Sequence, residues 1–304
     1  MKLLHFRHSP ARARRAFTII EIALCLGIIG FALVAIIAAL PRGLDVQKRN
    51  REETIIGQNA EVWMNALRNG AQGDNDLTNY VLCITNFWTD YNGQFRVIKS
   101  GYDYYTPTSS VVTSSIYLNP APAKDTVLLT NGLRIIGLLS MPKLMDDSLM
   151  PLPDYASPPY QSNYVVAYVR AFSGSAVSIA PQTNASILSD AFTYRMIVEN
   201  FPYSEVDTNS FCLDCPAAKN LTADELAART NLTRTVWMLQ TNSHDFRLRF
   251  RWPVLPNGQI PNYGFLTFRS MASGILLRTN DLASPDQPLF FVQPSGYAEV
   301  TNTP

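Results

Sequence analysis

The polar and apolar positions divide the chain into three stretches. Residues 22–40, IALCLGIIGFALVAIIAAL, carry no charge over nineteen positions. At about 1.5 Å per residue a helix of that length spans about 28 Å, close to the hydrocarbon thickness of a bilayer. Residues 1–16 hold Lys2, Arg7, Arg12, Arg14 and Arg15 and no acid. A basic start before an apolar run predicts insertion with the basic end left in the cytoplasm. Pro41 is expected to kink or interrupt the helix as it leaves the membrane. The pattern then resumes over residues 44–68, where Ile56, Ala60, Trp63 and Leu67 are spaced to share one helical face. Ile55, Val62 and Ala66 widen the stripe, which is expected to pack on the protein's own head. Asn69-Gly70 reads as the helix stop.

Beyond residue 75 the period changes to that of strands. Strand-rich segments fall at 94–99, 109–118, 164–172, 192–199, 234–240, 245–252 and 263–268. Residues 126–130 and 133–139 flank Asn131-Gly132, a two-residue hairpin signal. A Pro-rich stretch at 141–159 reads as a surface loop. The expected class is α+β: a long N-terminal helix, transmembrane in its first half, packed on an antiparallel, β-rich globular head. Its segments are a basic leader at 1–16, a membrane helix at 17–40, a continuation of that helix at 41–70 and the head at 71–304.

Composition adds two constraints. Net charge is +1, and once the five leader bases are set aside the remainder is mildly acidic, so no global field recruits nucleic acid. Charged residues make up only 16% of the chain, which fits a loop-rich β domain better than a helical bundle.

Glu21 is not explained by a plain membrane anchor. A carboxylate buried at mid-bilayer costs roughly 2.5–3.5 kcal/mol, so a carboxylate opening an apolar helix calls for a partner. The residues around it, Arg14-Arg15-Ala16-Phe17-Thr18-Ile19-Ile20-Glu21, resemble the cleavage and methylation motif of type IV prepilins and type II secretion pseudopilins. The resemblance is tight over residues 14–40 and loose to about 70. It implies cleavage between Ala16 and Phe17 by a prepilin peptidase, N-methylation at Phe17, and Glu21 as the fifth residue of the mature chain. Glu21 would then neutralise the terminal ammonium of a neighbouring subunit during filament assembly. The family usually has Gly before the cut, where this chain has Ala16. Residues 246–253 (FRLRFRWP) and 268–274 (FRSMASG) are also similar to segments of large prepilin-like proteins of verrucomicrobial gene cassettes.

Other candidate chemistry is thin. Cys212 and Cys215 form a C-x-x-C in a turn-rich stretch and are a candidate disulfide closing a small loop; free thiols, or a bridge from Cys83 to one of them, remain open. Gly73-Asp74-Asn75-Asp76 lacks the full pattern of a calcium loop and reads as a solvated turn. Residues 245–252 place Phe246, Leu248, Phe250 and Trp252 on one strand face and Arg247, Arg249 and Arg251 on the other. The reading adopted is a core face backed by a solvated basic face, able to pair acids on a neighbouring strand, rather than a nucleic-acid surface. No P-loop, nucleophile elbow, zinc-protease or dinucleotide motif is present.

The chain is therefore expected to be a structural subunit and not an enzyme, with no cofactor and no metal site. The resemblance implies a minor pseudopilin or minor pilin in the bacterial inner membrane, single-pass, with a periplasmic head. Its implied partners are the prepilin peptidase/methylase, other pilin-like subunits, the inner-membrane assembly platform and the lipid bilayer. The alternative is a membrane-tethered periplasmic binding protein or adhesin with the same leader. The two differ in whether Glu21 is needed.

Overall fold

The computed structural model describes residues 17–70, 75–94, 96–107, 126–146, 159–172, 192–203, 222–255, 258–261, 264–281 and 284–298. Helix α1 runs from Ile19 to Asn69. Pro41 lies inside it and does not end it. A proline lacks one N–H donor, and a helix this long keeps its ladder on both sides of that gap. The expected interruption is therefore absent. Gly70 ends the helix with φ +64°, a left-handed conformation natural to glycine at a helix C-terminus.

The chain forms two compact units, residues 1–52 and 53–304. In the first, every described residue from Phe17 to Arg51 is exposed. Lys48 and Glu52 make an i, i+4 ion pair at 4.0 Å on the charged stretch.

The second unit contains the last part of α1 and a large sheet. The strands are β1 (Val81–Tyr91), β2 (Val97–Thr106), β3 (Thr126–Leu128), β4 (Leu144–Asp146), β5 (Tyr160–Arg170), β6 (Thr193–Pro202), β7 (Ser243–Trp252), β8 (Gly264–Ser273), β9 (Ile275–Asp281) and β10 (Ser284–Gln293). The main sheet has the order β3-β2-β1-β5-β6-β7-β8, with β4 also paired to β5. All its pairings are antiparallel except β2 with β3. β9 and β10 form a separate hairpin.

The main core lies on one face of this sheet, and a smaller buried cluster with Cys83, Tyr104, Val166, Tyr168 and Ile197 lies on the other. Ile56, Ala60, Trp63 and Leu67 of α1 are at most 1% exposed, so the predicted helical face packs within its own head. Trp63 donates its indole N–H to the hydroxyl of Tyr194 on β6 at 2.9 Å, satisfying both polar atoms in the core. Ala66 is buried and Ile55 half-buried, but Val62 is 45% exposed and does not belong to the stripe. Phe246, Leu248, Phe250 and Trp252 of β7 meet the same core, as the period-2 pattern predicts.

Three local expectations give way to the tertiary structure. Asn131-Gly132 does not turn a hairpin. Asn131 caps helix α2 (Gly132–Leu139), its side-chain oxygen accepting from the backbone N–H of Arg134 at 2.9 Å. Residues 234–240 lie in helix α3 (Ala223–Asn242) instead of a strand. Thr222 and Glu225 open α3 as a capping box, and the apolar run is carried into the helix that follows. Third, the described start of the Pro-rich stretch is not a surface loop, because Met141 and Met145 are buried in the core. β1, β4, β9 and β10 were not foreseen as strands. The strand expected at 109–118, the acidic turn's Asp74 and the rest of the Pro-rich stretch from 147 to 158 lie outside the described residues.

Candidate functional site

Helix α1 begins at a side-chain cap. The Thr18 carbonyl accepts the N–H of Ile22 at 3.2 Å, the first backbone bond of the helix. The Thr18 hydroxyl accepts from the Glu21 N–H at 3.4 Å. In return, one Glu21 carboxylate oxygen accepts from the Thr18 backbone N–H at 2.9 Å and from its hydroxyl at 3.0 Å. This is a capping box, T-x-x-E, and its geometry repeats that of Thr222 and Glu225 at α3. A carboxylate there also meets the positive end of the helix dipole.

Sequence reasoning asked what partners Glu21 and missed this answer, although Thr-x-x-Glu before an apolar run is a readable signal. Thr18 is a partner within the chain. The need for a partner therefore no longer points by itself to a neighbouring subunit. Glu21 is nevertheless exposed, as is Phe17 at 80%. Both remain accessible at the helix start. Ala16 and the basic leader lie outside the described residues.

From Ile22 to Leu40 the helix shows its apolar side chains on all sides, with none buried. Its most apolar window has a mean hydropathy of 2.9. Among the described residues this is the one helix long and apolar enough to cross a membrane. A helix that is hydrophobic all round and buried against nothing has no stable place in water.

Among the described residues the remaining candidates take structural roles. Cys83 is a free, buried thiol. Burial pushes its pKa up to about 12, against hydrogen bonds with the Tyr104 side chain and the Tyr168 backbone, so it stays protonated and unreactive. Cys212 and Cys215 lie outside the described residues. On β7 the basic face is partnered. Arg249 and Lys143 both bind Glu199, the latter at 3.3 Å. Burial alone would raise the Glu199 pKa, but its partners hold it below the usual carboxylate range. Asp245 takes Arg247 and Arg269, each at 2.8 Å. Arg251 stacks over Phe265, 5.6 Å from the ring centroid. The expected pairing with an acid on a neighbouring strand is realised at Arg249, through Glu199 of β6, whereas Arg247 takes Asp245 of its own strand.

No family model, no curated protein and no solved structure matches the chain.

Proposed function

We propose that the protein is a prepilin-like structural subunit, a minor pseudopilin of a type II secretion pseudopilus or a minor pilin of a type IV pilus. The observation that carries the reading is residues 14–40: a basic leader end, Ala16-Phe17, an exposed Thr18–Glu21 helix start, then an apolar helix with every side chain exposed. A plain signal anchor accounts for the length, the charge bias and a capped helix start, but gives no role to Ala16-Phe17 set directly before Thr-x-x-Glu at the cytoplasmic end of the span. In this reading the helix stores the subunit in the inner membrane with its head in the periplasm. Cleavage between Ala16 and Phe17 removes the leader, and the new ammonium at Phe17 is methylated. The assembly platform then draws the helix into a filament, where Glu21 pairs with the ammonium of a neighbouring subunit. The large head favours a minor or tip position, because it would crowd a filament if repeated at every step.

The test is mass analysis of the N-terminus from membranes of cells with and without the prepilin peptidase. The expected product starts at methylated Phe17 only when the peptidase is present. A chain that still starts at Met1 in its presence overturns the proposal.

A further inference from the structure

The inward face of the main sheet is apolar over most of its extent and turns polar at one end. Ile84 on β1, Tyr105 on β2 and Val165 on β5 still belong to the hydrophobic core. Beyond them, in register, come Asn86, Trp88 and Asp90 on β1, Asp103 and Lys99 on β2, and Gln161 on β5. Met145 of β4 stands in register with Gln161, and Met141 and Pro288 complete the lining. Together these residues enclose a cavity of about 330 Å³. That volume sits within the roughly 300–1,000 Å³ typical of small-molecule sites.

The floor of the cavity is built and not merely left over. Asn86 is 4% exposed. Its amide nitrogen donates to the Asn163 side-chain oxygen at 3.0 Å and to the Met141 sulfur at 3.2 Å. Its own side-chain oxygen has no donor. A buried acceptor with no donor is costly, and such groups in native proteins ask for an explanation. Nearer the opening, Gln161 donates to Asp90 at 2.9 Å and so holds the carboxylate in place. Trp88 lies over Gly101 of the adjacent strand, where a Cβ would meet the indole at 2.5 Å. The exposed Lys99 ammonium lies 5.0 Å from the Trp88 ring centroid.

The chemistry of the lining selects among ligands. Two carboxylates against one ammonium disfavour an anion. Lys99 already takes the cation position on the indole, so a cationic ligand would have to compete with it. What fits is a molecule that offers several hydroxyl donors to Asp90 and Asp103, accepts from Lys99, and presents a C–H face to the Trp88 ring as the exposed Lys99 side chain swings aside. We propose that this cavity binds a neutral sugar unit, either free or at the end of a glycan chain. The proposal does not depend on the prepilin reading, and either can fail alone.

The experiment is calorimetric titration of the full chain, held in a detergent without a sugar headgroup, with glucose, galactose, mannose, N-acetylglucosamine and maltose. Spermidine and glucuronate serve as charged probes. Saturable binding of at least one neutral sugar is expected. Asp90→Asn removes a charge-assisted acceptor without changing shape and should weaken that binding about 10–100-fold. Trp88→Ala should abolish it. Thermal unfolding identifies variants that keep the fold; if Trp88→Ala does not fold, Asp90→Asn decides alone. The proposal is overturned if no neutral sugar binds the unaltered chain. It is equally overturned if folded variants bind as well as the unaltered chain, or if spermidine or glucuronate binds more tightly than every sugar.

Discussion

Glu21 receives two hydrogen bonds from Thr18 and returns the geometry of a helix cap, yet the prepilin reading asks it to supply a charge to another subunit. The two roles separate by substitution. Gln at the third helical position still closes a capping box, so Glu21→Gln keeps the cap and loses the charge. If charge pairing drives assembly, Glu21→Gln and Glu21→Ala both insert into the membrane but fail to enter filaments, as read by shearing and immunoblotting. Normal incorporation of Glu21→Gln would leave Glu21 with a capping role only.

His244 is a buried histidine of β7. It is 3% exposed. Burial lowers its pKa to about 4, with a hydrogen bond to the Gly274 backbone opposing the shift. The unfolded chain takes up a proton near the ordinary value of about 6.5, and the folded chain does not. The neutral ring's contribution is therefore complete above pH 6.5 and is lost as pH falls from about 6.5 to about 4, on the order of 3 kcal/mol in total. Chemical unfolding of the unaltered chain and of His244→Gln across that window should show a flatter profile for the variant.

At the scale of elements, close approach outweighs propensity. Gly137 sits inside α2, where Ala is normally better by about 1 kcal/mol. Here a Cβ would lie 2.7 Å from Phe291 Cζ and 2.8 Å from Leu289 Cβ. The Phe291 ring tip can yield, but Leu289 Cβ is tied to the backbone of β10. Gly137→Ala should therefore destabilise the head by about 1–3 kcal/mol, the usual range for overpacking. A thermal melt checks the sign, and a raised midpoint would show that β10 shifts freely. The same competition explains the misread segments. Asn-Gly at 131–132 is a strong hairpin signal, but a hairpin needs a second strand to pair, and Ile135, Ile136, Leu138 and Leu139 are buried in the core as parts of a helix that is buried almost all round. Residues 234–240 hold Thr, Val and Trp that favour strands locally, yet they follow a capped helix start ten or so residues upstream.

At the scale of the molecule, residues 17–51 of the first unit are all exposed, whereas the second unit has a core of its own. The full chain should sediment with membranes and resist extraction by salt and alkali. A chain that lacks residues 1–40 should stay in the soluble fraction and still unfold cooperatively. A truncated chain that remains with the membrane would place the anchoring elsewhere.

The apolar helix, its basic flank, the Thr18–Glu21 pattern and the alternation of β7 were legible because each depends on residues near one another along the chain. Ile56, Ala60, Trp63 and Leu67 were legible for the same reason: helical period alone places them on one face. Which strand each segment joins was not, because pairing of β1 with β5, or β6 with β7, is set by contacts between segments far apart in sequence. The cavity belongs to that second kind. Asn86, Lys99, Asp103 and Gln161 look like scattered polar residues until the strand register brings them together. The unmet acceptor of Asn86 exists only because the fold buries it among Asn163 and Met141.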